Sequence, residues 1–173
     1  MKGGEKALDQ TVLEDLYHRY YQSTYLYILS LCKDSALAAD LVADAFVKAW
    51  LTLSEAEPHF QYWLLRVCRN LWLDYLKHQR YQVPDGEEAL SLLEDPNTPE
   101  LQLLQTERNE ALYKGILSLP SSDRELLVLF YFSQVPVKKL AEIFHISPGT
   151  ARTRLFRARM KLKQLLEADG YEF

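Results

Sequence analysis

Apolar residues recur at helical spacing along most of this chain, and no stretch alternates apolar and polar positions as a strand would. Leu13, Leu16, Tyr17, Tyr20, Tyr21, Tyr25, Ile28, Leu29 and Cys32 predict a first helix whose core face uses tyrosine heavily. Asp34 or Ser35 then caps a second helix with Leu37, Leu41, Ala45, Ala49 and Leu53 as its buried stripe. A proline-bearing loop at 54–59 ends it. A third helix over 60–80 buries Phe60, Leu64, Val67, Cys68, Leu71 and Tyr75. The pattern lapses over 82–99, where three prolines, a glycine and many acidic residues read as linker. It resumes over 101–117 and stops at Leu119-Pro120. Ser122 with Glu125 three residues on reads as a capping box. The run RELLVLFYF that follows is nearly all apolar and belongs at the centre of a core. Val137, Leu140, Ala141 and Ile143 or Phe144 give a short helix, His145-Ile146 a turn, and Ser147-Pro148 the cap and first position of a last helix. Short helix, tight turn, helix, with the small Ala141 at the crossing, is a helix-turn-helix. The predicted fold is all-α: two small helical domains, 9–81 and 100–173, joined by an acidic flexible linker at 82–99.

Charge changes this picture because it is segregated. The net charge of −4 argues against a general nucleic-acid binder. Residues 82–110, however, carry eight acidic residues against Arg108, and 138–163 carry eight basic residues against Glu142. A specific basic surface is therefore tethered to an acidic segment. No run of about 18 apolar residues exists to span a membrane, and the opening MKGGEKALDQ has no signal-peptide pattern. Cys32 and Cys68 both fall in helical patterns and read as buried structural cysteines of a reducing compartment, without the spacing of a zinc site.

The basic surface is concentrated on the last helix. Ala151, Leu155, Ala158 and Leu162 form one narrow buried face. Arg152, Phe156, Arg159 and Lys163 flank it on one side, and Thr150, Arg154, Arg157 and Lys161 on the other. Thr153 and Met160 lie opposite. A helix about 10 Å across with a buried back and a cationic front fits a DNA major groove. A solvated basic face is the plain alternative. Phe156 away from the apolar stripe, and the lack of any acidic residue from Gly149 to Gln164, argue against it. The third helix offers a second basic row: Tyr62, Arg66, Arg69, Leu73, Lys77 and Arg80, with Asn70 alongside, suited to phosphates and unpaired bases. On the second helix, Asp40 and Asp44 accompany Phe46 and Trp50. Spacing alone leaves that aromatic pair open between a docking surface and packing on a neighbouring helix. No Gly-rich phosphate loop, His–carboxylate cluster or nucleophile motif is present, so no enzyme, cofactor or metal site is expected.

These residues carry a family resemblance. LPSSDRELLVLFYFSQVPVKKLAEIFHISPGTARTRLFRARMKL resembles the minus-thirty-five reading module of bacterial RNA polymerase sigma factors. DLVADAFVKAW followed by FQYWLLRVCRNLWLDYLKHQR resembles their polymerase-binding and minus-ten module. Both modules in this order with a short linker are similar to the extracytoplasmic-function (group IV) subfamily, over roughly 13–166. The resemblance implies a non-enzymatic, cytoplasmic transcription-initiation factor, of the kind used in stress responses, that directs core polymerase to promoter DNA. It implies core RNA polymerase as partner, through the clamp helices of the largest subunit and the flap. An anti-sigma protein is implied as inhibitor, one that holds the factor at the inner membrane face without membrane insertion by the factor itself. By position, Asp40, Leu41, Asp44, Phe46 and Trp50 would grip the clamp. His59, Tyr62, Arg66, Arg69, Asn70, Lys77 and Arg80 would contact minus-ten DNA, with a flipped base held by the 54–61 loop. Thr150, Arg152, Thr153, Phe156 and Arg157 would read the minus-thirty-five element, with Lys138, Lys139 and Arg154 near phosphates. The acidic linker would run near the RNA-exit path. A polymerase-independent helix-turn-helix regulator is the competing reading, and it leaves the Asp44, Phe46 and Trp50 surface without a purpose. The chain departs from the family's habits at Lys138-Lys139, where an acidic pair is usual. It departs again at His145 and at Ser133-Gln134, where Gly is usual.

Overall fold

The last nine residues of the first helix are buried on every side, and this decides how the rest is arranged. The structure, a computed structural model, describes residues 8–53, 58–79 and 106–172. Helix α1, Gln10–Cys32, starts at Asp9, whose carboxylate accepts from Thr11 N at 2.9 Å. From Thr24 to Cys32 all nine residues are buried. TYLYILSLC is apolar almost all round, and such a helix must be covered on all faces. Helices α2, Ser35–Thr52, and α3, Phe60–Gln79, cover one side. Asp34 caps α2 by accepting from Leu37 N at 3.1 Å.

The other side is covered by the C-terminal module. Its helices are α4, Glu107–Leu117; α5, Ser121–Tyr131; α6, Val137–Phe144; and α7, Pro148–Ala168. The nearly all-apolar α5 packs on α1 as well as on α4, α6 and α7. Buried residues of both modules consequently form one continuous core, where the sequence pattern led us to expect two separate ones. Polar groups stitch the boundary. Tyr113 donates to Leu26 O at 3.0 Å, and Arg124 Nη1 to Ser30 O at 2.9 Å. Gln61 Nε2 donates to Ser133 O at 2.8 Å. Among the described residues no strand occurs. The linker expected at 82–99 and most of the 54–59 loop lie outside them.

One local expectation is corrected. The capping box of Ser122 and Glu125 does not form: α5 begins at Ser121, its N-cap is Pro120, and no side chain caps it. Glu125 is instead engaged by two partners on the N-terminal module, described below.

The helix-turn-helix forms as read. Ala141 is buried at the crossing and its carbonyl accepts from Ile146 N at 3.0 Å. His145 takes the left-handed conformation with φ 53°, and Gln134, before α6, has φ 54°. Both are positions where glycine would be relieved of steric cost. Ser147 caps α7, accepting from Thr150 N at 3.1 Å, and Ala151, Leu155, Ala158 and Leu162 are all buried. Gly115 of α4 is a true close approach. A Cβ there would lie 3.0 Å from both Leu162 Cδ1 and Leu166 Cδ2 of α7.

Both cysteines are buried, as the helical pattern predicted. Burial pushes the Cys32 thiol up to about 12 and the Cys68 thiol higher still. A raised pKa keeps each sulfur protonated, and the thiolate is the reactive species. At pH 8 we expect the native chain to resist Ellman's reagent, and both thiols to react promptly in guanidinium. Rapid labelling of either one in the native state would contradict this burial.

Candidate nucleic-acid and protein interfaces

Three faces carry the candidate residues, and the helix periods place them. On α2, Asp40, Asp44, Val47 and Leu51 recur at steps of four, three and four and form the outward stripe. Both aspartates are exposed, as are Val47 at 56% and Leu51 at 75%. Beside them Trp50, 38% exposed, lines a groove of about 460 Å³ with Leu13, Tyr17, His18, Phe46 and Val47. The aromatic pair of the sequence reading is split here. Phe46 is buried, its ring 5.1 Å from Tyr17 and 6.1 Å from Phe60, so it forms the floor of the groove. Leu41 is buried too and is not available for contact. Val47, Leu51 and the α1 wall escaped the sequence reading. Their signal was present: two large apolar residues four apart, on the solvent side of a stripe already assigned.

The second face is α3. Arg66, Asn70 and Lys77 are exposed. His59 stacks on Tyr62 at 6.0 Å between ring centroids, and Lys139 Nζ lies 5.7 Å from the Tyr62 ring. Arg69 is only partly exposed. Its Nε donates to Glu125 Oε1 at 2.7 Å, and its guanidinium lies 5.2 Å from the Phe144 ring. Tyr27 donates its hydroxyl to the same Glu125 oxygen at 2.5 Å. Burial, then the neighbouring Glu125 carboxylate, hold the Tyr27 phenol well above its ordinary range, so it stays a donor. Arg80 lies outside the described residues.

The third face is the front of α7. Arg152, Thr153, Phe156 and Arg157 are exposed there, Phe156 at 66%. Phe156 shares a groove with Leu112, Tyr131 and Met160, yet most of its ring stays in water at a solvation cost. The basic residues divide along the helix. Toward the C-terminus Lys161 bridges to Asp123 at 2.6 Å, Arg159 lies over Phe130, and Lys163 reaches Glu167 at 3.6 Å. Toward the N-terminus Arg152 and Arg157 have no carboxylate partner among the described residues. Thr150 accepts from the Ser147 hydroxyl at 2.8 Å, and Thr153 donates to Gly149 O at 3.1 Å. Arg154 lies 5.8 Å from the Phe144 ring, and Lys138 is exposed on α6, where Lys139 pairs with Glu142 at 3.0 Å. Two exposed arginines thus flank an exposed phenylalanine ring on this face.

Among the described residues no cluster of His, Cys, Asp or Glu could hold a metal ion, and no helix is long and apolar enough to cross a membrane.

Comparison with known proteins bears on these faces. The family model for sigma-70 region 2 matches residues 16–81, and that for sigma-70 region 4 matches 109–162. The ECF RNA polymerase sigma factor SigM of Bacillus subtilis is 30% identical over 158 residues, covering 88% of this chain and 94% of SigM. The ECF RNA polymerase sigma-E factor of Escherichia coli is 28% identical over 169 residues, with coverage of 91% and 85%. Among solved structures, the sigma factor RpoE in complex with the anti-sigma factor NepR from Bartonella quintana superposes with a TM-score of 0.65 at 19% identity, covering 92% of this chain and 99% of that one. CnrH, in complex with the cytosolic domain of CnrY, gives 0.62 at 24% identity, covering 93% and 91%. These two likenesses concern the fold.

Proposed function

The chain belongs to the extracytoplasmic-function sigma factors of the sigma-70 family, and from that membership we propose how its three faces divide the work. As such a factor it directs core RNA polymerase to promoters and initiates transcription. The groove and outward stripe of α2 dock on the polymerase. Trp50, Val47 and Leu51 supply apolar area there, and Asp40 and Asp44 orient the approach. Leu41 and Phe46 support this surface from beneath. The α3 row takes the minus-ten element: Arg66, Arg69 and Lys77 hold phosphates, and Tyr62 and His59 offer ring faces to unstacked bases. The front of α7 reads the minus-thirty-five element in duplex form. Arg152, Thr153, Phe156 and Arg157 face the bases, and Lys138, Lys139 and Arg154 lie near the backbone.

The mechanism is differential binding and involves no chemistry on the chain itself. Duplex readout by α7 fixes the register. Capture of opened bases by α3 then favours the melted state over the closed one, and binding free energy becomes strand separation. We place the factor in the cytoplasm with an anti-sigma protein as its inhibitor. Support for that partner is the fold shared with RpoE, which was solved in complex with the anti-sigma factor NepR.

The observation that carries the reading is the front of α7: two unpaired arginines and a solvent-facing phenylalanine on the second helix of a helix-turn-helix. Run-off transcription with purified core polymerase on genomic fragments tests it. We expect transcripts from defined start sites that core polymerase alone does not make, and their absence would refute the reading. Arg157→Ala is expected to weaken the upstream contact by about 1–3 kcal/mol and to relax base preference at one position of the element. A regulator working without polymerase would instead bind duplex tightly alone. It would also leave the apolar stripe of α2 without a role.

A further inference from the structure

A cleft runs along the seam between α3 and α6. It holds two basins, of about 160 and 170 Å³, that meet at Trp63, Arg66 and Ile143. Together they reach the lower end of the range for small-ligand sites. The basins differ in chemistry. One is lined by Arg66, Arg69, Asn70 and His145, and by no carboxylate among the described residues. The other has the nearly parallel rings of Tyr62 and His59, with Lys139 and Glu142 beside them.

Charge decides which groups are available. Glu125 neutralises Arg69, and Glu142 pairs with Lys139. Arg66 is exposed and has no carboxylate partner among the described residues, so the open positive charge of the cleft is its guanidinium. Asn70 and His145, both exposed, add hydrogen-bonding groups in the same basin. That end suits an anion of one or two charges. At the other end Glu142 would repel a phosphate but can accept from an amine, and the rings offer a stacking surface. We propose that the cleft between α3 and α6 is a mononucleotide site, with the phosphate on Arg66, Asn70 and His145 and the base against Tyr62 and His59. The sugar crosses the wall of Trp63 and Ile143. Neither polymerase nor DNA takes part, so loss of transcription in a variant does not bear on this site. His145 comes from the helix-turn-helix and the other phosphate-end groups from α3. The ligand therefore binds only chains whose modules are joined, and must raise their melting temperature.

The full chain is titrated calorimetrically with AMP and, separately, with inorganic phosphate. AMP should bind with a dissociation constant below about 1 mM, and phosphate at least about tenfold more weakly. Arg66→Gln and Tyr62→Ala should each weaken AMP about tenfold or more, and AMP should raise the melting temperature of the wild type but not of Arg66→Gln. If Tyr62→Ala loses helicity by circular dichroism, Tyr62→Leu replaces it. His145→Gly, which keeps the left-handed backbone, should weaken AMP as well. Lys114→Gln removes one exposed charge on α4, away from the cleft, and should bind as the wild type does. No binding by about 10 mM AMP would overturn the site. So would wild-type affinity in both Arg66→Gln and Tyr62→Ala. Phosphate binding as tightly as AMP would remove the base from the proposal and defeat it. A loss in Lys114→Gln equal to that in Arg66→Gln would reduce the effect to general charge attraction and defeat it too.

Discussion

Trp50→Ala is expected to weaken binding to core polymerase by about 2–4 kcal/mol, on the order of thirty- to a thousandfold. The indole lines a mostly apolar groove on this face, between Tyr17 and Val47, with Phe46 as floor and Glu14 and His18 at its polar edge. A large, partly exposed aromatic over a buried aromatic base, rimmed by apolar neighbours that exclude water, is the arrangement in which truncation costs most at interfaces. Because Trp50 is 38% exposed in the free chain, its loss should leave the fold close to wild type. Phe46→Ala would not be a clean probe. It would open a cavity among Tyr17, Phe60 and α2 and unfold part of what it was meant to test. Asp44→Ala should give a smaller loss that fades with added salt, as a rim charge does. Competition against a labelled wild-type chain for core polymerase, with thermal melts as a control, measures all three. Equal competition by Trp50→Ala would remove the α2 groove from the docking surface.

The second large effect concerns stability. Arg124→Met should destabilise the chain by about 2–4 kcal/mol, read from the shift in urea midpoint. The guanidinium is buried and has no acidic partner among the described residues. Burial lowers its pKa, though not enough to discharge it at any working pH. Its donors go to backbone oxygens at two helix ends. Nη1 takes Ser30 O near the end of α1, while Nε and Nη2 take Leu119 O, just past α4, at 3.3 and 3.0 Å. Carbonyls in the last turn of a helix have no partner within it, and the dipole there favours a cation. Arg124 thus terminates α1 from the opposite side of the boundary and, within its own module, holds the loop carbonyl just past α4. Methionine would fill the space and leave both oxygens dry. The melt should also broaden or split, as the modules lose a shared anchor. A sharp transition at the wild-type midpoint would show that these carbonyls find water instead.

What was legible in the sequence was local. Asp34 and Ser147 cap, Pro148 starts α7, and the stripe from Ala151 to Leu162 is buried, because each depends on neighbours a few residues away. Glu125 was misread for the same reason. Its spacing from Ser122 fits a cap, yet its partners Tyr27 and Arg69 are remote in sequence, and a charge-assisted contact at a shared core outcompetes a cap in water. Phe46 and Trp50 share one spacing and meet different fates because Tyr17 and Phe60 arrive over only one of them. The union of the two cores had a signal: a stretch as apolar all round as 24–32 requires cover on two sides. The family habit of glycine near 134 and at 145 was informative about backbone, since Gln134 and His145 both hold left-handed angles that glycine would adopt freely.

Gly115 makes α7 a lever. The helix runs 21 residues, about 30 Å. Its C-terminal half rests on α4 where Leu162 and Leu166 bear on the bare backbone of Gly115, and its N-terminal half carries Arg152, Phe156 and Arg157. A few tenths of an ångström gained at that fulcrum would tilt the far arm that carries the proposed reading face. On the proposed reading, the address this factor recognises would be set partly by a residue with no side chain, remote from the α7 front.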